Sequence, residues 1–239
     1  MANDYFQFRQ FTVRQNRCAM KVGTDGTLLG AWAHGGKSVL DIGTGTGLIA
    51  LMMAQRFPEA QVTGIDIDPE AVAQARENVA ASPFSNVEIE ENDVKTFSPS
   101  HFSLPPSHFS LFTSIVCNPP YFVDSLVSPD GQRTLARHAS SLSYRDLMAS
   151  VNRLLADDGE FSVVIPFDCK ARLESEAALA CFFKSRECAV RTTPKKQPRR
   201  FLMAFRRHPS QQELTEGVIE TAPNERSPWY QELTKDFYL

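Results

Sequence analysis

The sequence predicts an α/β fold in which helices cover a mainly parallel sheet that ends in a C-terminal β-hairpin. Short apolar segments typical of buried strands alternate with longer segments of helical period along most of the 239 residues. Near the C-terminus, two β-like segments, 188–191 and 201–205, flank a basic, proline-containing loop. The alternation favours βαβ units with parallel strands, and the last pair adds antiparallel strands.

Prolines and apolar periodicity place the individual elements. Val39-Leu40-Asp41 is predicted as the first buried strand of the sheet. The next helix, 48–56, ends before Pro58, because the residue preceding a proline disfavours helical geometry. Pro69 is suited to the first position of a helix. Phenylalanines in the first thirteen residues indicate a strand or an arm. The other predicted strands are 61–66, 87–91, 112–117 and 160–165, and the other predicted helices are 69–81, 144–155 and 170–183.

Composition excludes several classes of protein. A mean hydropathy of -0.26 and the absence of a long apolar run argue against a membrane protein. The five cysteines form no Cys-x-x-Cys pair, which indicates reduced thiols in a cytoplasmic protein rather than disulfides or a zinc site. His101 and His108 lie in a proline-containing segment, 98–110, without acidic or thiol companions. This segment is predicted to be a flexible insertion, and no metal is expected.

A glycine-rich turn, Asp41-Ile42-Gly43-Thr44-Gly45-Thr46-Gly47, follows the first strand. Its glycines let the backbone approach a ligand, and the helix behind it presents unpaired N–H groups. The Asp41 carboxylate suits the cationic amino-acid end of S-adenosylmethionine better than a pyrophosphate. Asp66 ends the second strand, where it can bind ribose hydroxyls, and Asp93 can accept a hydrogen bond from an adenine amino group. Carboxylates at three successive strand ends therefore predict an S-adenosylmethionine site.

A second motif, Asn118-Pro119-Pro120-Tyr121, follows the fourth strand of this sheet. The Asn118 side-chain oxygen and the Pro119 carbonyl can both accept hydrogen bonds from one planar NH2 group, and Tyr121 offers a ring for stacking. Such a clamp aligns the nitrogen lone pair with the methyl donor and needs no strong general base. The two motifs together indicate methyl transfer to a nitrogen, with Asn118, Pro119 and Tyr121 as catalytic candidates.

Three further segments narrow this prediction. They are Lys21–Trp32 (KVGTDGTLLGAW), Ala136-Arg137-His138, and the closing Leu233–Leu239 (LTKDFYL). With the two motifs, these segments make the chain resemble the bacterial tRNA1(Val) N6-adenine methyltransferase family over nearly its whole length. The resemblance implies a Rossmann-like class I methyltransferase fold with a doubly wound, mostly parallel seven-stranded sheet. It also implies a flipped adenine, adenosine 37 beside the anticodon of a valine tRNA, as the methyl acceptor.

The resemblance also implies residue roles and a division of the chain. Thr24 and Asp25 would close over the methionine end of the cofactor. The implied cofactor set is Lys21, Thr24, Asp25, Asp41, Gly43, Gly45, Gly47, Asp66, Ile67, Asp93, Val94 and Asn118. We expect a single methyltransferase domain with an N-terminal arm and lid (1–37), a catalytic core (38–207) and a C-terminal extension (208–239).

Two basic segments suggest contact with RNA, although the net charge of the chain is -3. One surrounds the predicted hairpin tip and the other lies in the N-terminal arm, so both flank the predicted nucleobase site. Cations there would hold phosphates while the base leaves its stack. The RNA candidates are Arg14, Arg17, Arg137, His138, Lys195, Lys196, Arg199 and Arg200.

Three alternatives stay open at this point. The same clamp occurs in enzymes that methylate a release-factor glutamine, but these normally carry a separate N-terminal helical domain. Guanine-N2 RNA methyltransferases usually have Phe at the aromatic position of the clamp. A non-enzymatic RNA-binding module of this fold would lack an intact cofactor site. The sequence also leaves the choice between a monomer and a weak dimer open.

Overall fold

A computed structural model describes residues 4–18, 21–99, 111–119 and 142–239. The strands are β1 (Tyr5–Gln7), β2 (Thr12–Arg14), β3 (Ser38–Ile42), β4 (Gln61–Asp66), β5 (Val87–Glu91), β6 (Phe112–Cys117), β7 (Leu155–Pro166), β8 (Phe183–Arg191), β9 (Arg200–Arg206), β10 (Glu213–Val218), β11 (Glu220–Ala222) and β12 (Glu225–Arg226). The helices are α1 (Thr24–Trp32), α2 (Leu48–Arg56), α3 (Pro69–Ala80), α4 (Tyr144–Leu154), α5 (Lys170–Leu179) and α6 (Pro228–Thr234).

The main sheet has the order β10-β8-β9-β7-β6-β3-β4-β5 among the described strands. From β7 to β5 all neighbouring strands are parallel, whereas β9 runs antiparallel to both β7 and β8. The chain moves outward from β3 to β5 and then returns to the other side through β6. This reversal makes the sheet doubly wound and confirms the predicted fold class with its C-terminal hairpin. The strand β10, which pairs in parallel with β8, extends the expected seven strands to eight.

Alternating side chains along the strands supply two apolar faces. Leu40 and Ile42 of β3 pack on the side of α4 and α5, in one core cluster. Val39 lies on the opposite face, in a cluster with residues of α1, α2, α3 and α6. Helices on both faces leave the ends of the strands as the accessible part of the sheet, and ligands of such folds bind beyond the carboxyl ends.

Local signals explain where several helices begin and end. Asp68 caps α3 by accepting a hydrogen bond from the Glu70 N–H at 3.0 Å, and Pro69 takes the first helical position, as predicted. The predicted helix 170–183 is shorter than expected, because α5 ends at Leu179. Cys181 then adopts a left-handed conformation with φ of 60°, which turns the chain into β8. Helices α1 and α6 and strand β10 were not predicted from the sequence.

In the described part of the chain, no helix combines the length and the apolar character that a membrane span needs. The same residues hold no group of three or more side chains able to bind a metal ion. The segment 100–110, with His101 and His108, and residues Tyr121, Arg137 and His138 lie outside the described residues.

Candidate functional site

A cavity lies at the carboxyl ends of β3, β4, β5 and β6, where the sheet reverses direction. Its walls come from the glycine turn, from the ends of β4 and β5, from the end of β6, and from the N-terminal arm. The lining residues are Cys18, Ile42, Gly43, Gly45, Ile65, Asp66, Ile67, Asp68, Ala71, Asn92, Asp93, Val94, Lys95, Cys117, Asn118 and Leu142. Two groups of predicted residues, those of the glycine turn and those of the strand-end carboxylates, therefore meet in one place.

The glycine turn holds a backbone conformation that other residues rarely adopt. Gly43, Gly45 and Gly47 have φ values of 69°, 55° and 80°. A Cβ atom at Gly43 would meet nothing within 4 Å, so open space rather than packing lies beside this residue. Gly47 instead packs against Ala75 of α3, at 3.4 Å from a Cβ atom built on it, and does not line the cavity. The first two glycines thus present their backbone to a ligand, whereas the third supports the turn.

Asp66 holds the turn against the end of β4. Its Oδ2 accepts a hydrogen bond from the Gly45 N–H at 2.9 Å, and its Oδ1 accepts one from the Asp68 N–H at 3.0 Å. The side chain lines the cavity and is only half-buried, so both oxygens retain lone pairs for further donors. This placement is consistent with the predicted contact to ribose hydroxyls.

Asp41 lies beneath the turn rather than at the cavity wall. Its side chain is fully buried, and its Oδ2 accepts hydrogen bonds from the Thr44 hydroxyl at 2.7 Å and the Ala50 N–H at 3.1 Å. Its Oδ1 has no hydrogen-bond partner among the described residues. Burial raises the pKa of Asp41 to about 7, although the two hydrogen bonds oppose the change. The structure thus places the Asp41 carboxylate beneath the turn rather than at the cavity wall, and its direct contact with the cofactor stays a prediction.

We expect Asp41→Asn to stabilise the ligand-free protein at pH 8 by about 1–3 kcal/mol. The Asn Nδ2 atom takes the unpartnered position of Oδ1, but the neutral amide removes the buried charge. The reason is that the folded-state pKa lies above the ordinary value of 3.8, so the cost of the charge grows as pH rises from 3.8 towards 7. Thermal denaturation at pH 5 and pH 8 measures the effect. Cofactor affinity at pH 8 should fall, since the cationic ligand loses a nearby negative charge. A stability difference that is the same at both pH values would contradict this origin.

Asn118 and Pro119 stand at the end of β6, at the margin of the same cavity. The amino end of α1 passes beside them, since a Cβ atom at Gly26 would lie 4.0 Å from the Asn118 Nδ2 atom. Pro119 is buried and fixes the backbone that follows Asn118. The structure thus joins the first half of the predicted clamp to the cofactor cavity. The second half, Pro120 and Tyr121, lies outside the described residues.

The residues expected to close over the methionine end do not line the cavity. Thr24 and Asp25 begin α1, and Asp25 forms an ion pair with Arg200 at 2.7 Å. Arg200 is only 24% exposed, so the structure engages it within the fold instead of presenting it to RNA as predicted. Lys21 is exposed just before α1 and also lies outside the cavity lining.

Several cavity residues were missed by the sequence analysis. Asn92 and Lys95 flank the predicted pair Asp93 and Val94, and the Lys95 Nζ atom lies 3.3 Å from the Asp93 Oδ2 atom. Their place directly after a strand was a usable signal. Cys18 was not detectable in this way, because it reaches the cavity only through the tertiary docking of the N-terminal arm.

Comparisons with known proteins first define the class. Residues 33–216 match the family model described as a methyltransferase domain. The crystal structure of a predicted O-methyltransferase from Agrobacterium tumefaciens superimposes with a TM-score of 0.66 at 19% identity, over 89% of this chain and 96% of that one. At this identity the superposition shows the fold alone, which is that of the class I methyltransferases.

Closer relatives define the family. A protein from Bacteroides thetaiotaomicron named tRNA1(Val) (adenine(37)-N6)-methyltransferase is 45% identical, over 100% of this chain and 99% of the relative. A protein of the same name from Tolumonas auensis is 38% identical, over 100% of this chain and 98% of the relative. The chain therefore belongs to the tRNA1(Val) (adenine(37)-N6)-methyltransferase family.

Proposed function

We propose that this protein transfers a methyl group from S-adenosylmethionine to the exocyclic N6 of an adenosine in tRNA, at position 37 beside the anticodon of a valine tRNA. The observation that carries the proposal is the placement of Asn118-Pro119 at the margin of a cavity walled by glycine backbone and strand-end carboxylates. The names of full-length relatives support the same substrate. We expect the protein to act in the cytoplasm as a monomer or weak dimer.

The residues present fit the cofactor. Open space beside Gly43 leaves room for a ligand against the backbone. Asp66 suits ribose hydroxyls, and we propose that the adenine ring binds against Asp93 and Val94, which line the cavity. The buried Asp41 adds negative charge below the turn, on the side where a cationic group is expected. S-adenosylmethionine supplies a methyl group on a positively charged sulfur, which is already a strong electrophile.

The protein therefore has mainly to orient the nitrogen and exclude water. The Asn118 side-chain oxygen and the Pro119 carbonyl accept hydrogen bonds from the two N6–H groups, which directs the nitrogen lone pair towards the methyl group. Once the N–C bond has formed, the nitrogen carries a positive charge, and its acidic proton can pass to water, so no strongly basic side chain is required. We assign Tyr121, on the basis of the motif, to stacking against the adenine.

Topology places the basic hairpin tip on the same edge of the sheet as this site. The strand β7 runs parallel to β6, and Pro166 at its carboxyl end pairs with Arg200 at the start of β9. The loop between β8 and β9 therefore projects beyond the carboxyl ends of the strands. It carries Lys195, Lys196 and Arg199, all exposed. Arg14 and Arg17 are exposed on the N-terminal arm, and we retain these five as RNA candidates.

Neutralising Lys195, Lys196 and Arg199 to Gln should weaken tRNA binding and flatten its salt dependence. Each phosphate that the protein no longer neutralises removes about 0.7–0.9 from the slope of log affinity against log salt, so the slope of the triple variant should fall by about 2. Binding titrations between low and physiological salt measure this slope. Lys235→Gln is the control, because Lys235 lies in the C-terminal extension and pairs with Glu232 at 2.5 Å. An unchanged slope in the triple variant would move the RNA surface elsewhere.

The direct test of the reaction is methyl transfer from labelled S-adenosylmethionine to bulk tRNA lacking native modifications, followed by nucleoside mass spectrometry. N6-methyladenosine supports the proposal, and fragment mapping then identifies the tRNA and the position. N2-methylguanosine would support the guanine alternative. Labelling of a release-factor glutamine without labelling of tRNA would support the glutamine alternative. Cofactor binding without transfer to any of these acceptors would favour an RNA-binding module.

A further inference from the structure

Two buried amide side chains of α3 hold the N-terminal arm. Gln74 is fully buried and Asn78 is 1% exposed, although neither belongs to the predicted site. The Gln74 Oε1 atom accepts a hydrogen bond from the Arg17 N–H at 3.3 Å. The Asn78 Oδ1 atom accepts one from the Arg14 N–H at 2.8 Å, and its Nδ2 atom donates to the Arg14 carbonyl at 2.9 Å. The arm therefore docks on α3 through its backbone.

Asn78 makes a second contact that Gln74 lacks. Its Nδ2 atom also donates to the carbonyl of Thr46, in the glycine turn, at 2.9 Å. The Asn78 side chain thus uses its oxygen and both of its amide hydrogens. Its partners are Arg14 in the arm and Thr46 in the turn, which are 32 residues apart in the sequence. Only a carboxamide provides this combination, because a carboxylate of the same shape would turn an acceptor towards two carbonyl oxygens.

We propose that Asn78 is a positioning residue that couples the cofactor turn to the N-terminal arm. The turn contains glycines at positive φ, whose conformation a bound cofactor would fix through contacts with Gly43 and Gly45. The Thr46 carbonyl then presents a fixed acceptor to Asn78, which in turn holds Arg14. Arm docking brings Cys18 to the cavity wall, so the arm closes one side of the site. A group shared by the two segments can carry such coupling, and the coupling of binding free energies acts equally in both directions.

The consequence is that cofactor binding and arm docking stabilise each other. The arm carries the RNA candidates Arg14 and Arg17, so an enzyme loaded with cofactor presents a more ordered basic segment to its acceptor. The coupling itself requires only the cofactor and holds whatever the acceptor is.

Hydrogen exchange followed by mass spectrometry tests the coupling, with S-adenosylhomocysteine as the probe. In the unaltered protein the probe should slow exchange in peptides covering 14–18 by about fivefold or more, the lower range of measured couplings between sites. In Asn78→Ala the arm should exchange at one rate with or without the probe. By reciprocity, the probe should bind Asn78→Ala more weakly by a similar factor, measured by calorimetry. No RNA is needed, so failure here is distinct from failure of the proposed reaction.

Two further variants separate coupling from stability. Asn86→Ala is the matched control, because Asn86 donates to the Ala60 carbonyl at 2.8 Å and touches neither the arm nor the turn. It should lose stability yet keep the response of the arm to the probe. Gln74→Met removes the bond to the arm, together with the bond from the Gln74 Nε2 atom to the Glu77 Oε2 atom at 3.3 Å within α3. It leaves the contact of Asn78 with the turn in place, so it should speed exchange with little loss of probe affinity. An arm that ignores the probe in the unaltered protein, or that still responds in Asn78→Ala, would overturn the proposal.

Discussion

Asn118→Ala is expected to lower turnover by about 100- to 1000-fold, the range typical when one positioned polar group is removed from a reacting centre. The loss arises because the side-chain oxygen no longer orients the N6 amino group, while the Pro119 carbonyl alone leaves the nitrogen free to rotate. Cofactor affinity should change little, since the glycine turn, Asp66 and Asp93 supply most of the cavity wall. Single-turnover rates with saturating tRNA and calorimetry with S-adenosylhomocysteine measure the two quantities separately.

Asn118→Asp serves as the partner variant. Asn118→Asp keeps an acceptor oxygen at the same place, so it should retain more activity than Asn118→Ala. It also adds a negative charge to a cavity lined by Asp66 and Asp93, so it should not restore full activity. The proximity of α1, through Gly26, makes a folding control necessary, and thermal denaturation provides it. Equal losses of turnover and cofactor affinity in Asn118→Ala would contradict the clamp assignment.

The largest effect on stability is expected from Glu160. This residue lies on the interior strand β7, towards the ends of the strands that are opposite the cavity. The side chain is 4% exposed, and its oxygens accept hydrogen bonds from Arg186 at 2.7 Å and Arg206 at 2.9 Å, with His34 at 3.3 Å. Arg186 in turn lies over the ring of Trp32, 4.0 Å from its centroid. One buried carboxylate thus joins three strands, β7, β8 and β9, to the segment after α1.

Glu160→Gln should destabilise the protein by about 3–5 kcal/mol, because the buried guanidinium of Arg186 loses its counter-charge. Thermal or denaturant unfolding measures the loss, which corresponds to a fall in Tm of roughly 10 °C for a chain of this size. Glu216→Gln is the matched control. It breaks an exposed pair with Arg191, in which Glu216 is 64% exposed, and should cost no more than about 1 kcal/mol. Equal losses in the two variants would contradict the role of burial.

The pH dependence of unfolding gives an independent readout of the same group. Burial raises the pKa of Glu160, but hydrogen bonds from His34 and Arg186 outweigh it and lower the pKa from 4.5 to about 2. The folded pKa is therefore depressed, so the contribution is present above pH 4.5 and is lost as pH falls from there towards 2. In Glu160→Gln this part of the acid sensitivity should disappear.

Elements set by local signals could be predicted from the sequence, whereas those set by tertiary contacts could not. The α3 helix was foreseen because Pro69 marks its start within the chain itself. The α1 helix was missed, since its residues are buried on nearly every side and leave no polar face to reveal the period. The β10 strand was missed because most of its residues are polar and exposed at a sheet edge.

The same distinction holds within the site. Asp66, Asp93 and Asn118 could be assigned because each directly follows or ends a strand, and the carboxyl ends of parallel strands share one edge. Asp41 shares that position, but its side chain points to the α2 face, which residue order alone does not show. The pairing of Asp25 with Arg200 joins residues from distant segments, so it could not be predicted from the sequence, and the roles expected of the two residues stay predictions.

The two outermost described strands of the sheet, β5 and β10, share a property that bears on how copies of this protein meet. Both are rich in carboxylates, with Glu88, Glu90 and Glu91 on β5 and Glu213 and Glu216 on β10. A strand edge with unpaired backbone groups is a natural template for pairing with a second molecule. Pairing between these two described strands, or of either with its own copy, would bring carboxylates together, although Glu216 is paired with Arg191. Charge repulsion therefore opposes such pairing, and acid that neutralises the carboxylates weakens this repulsion.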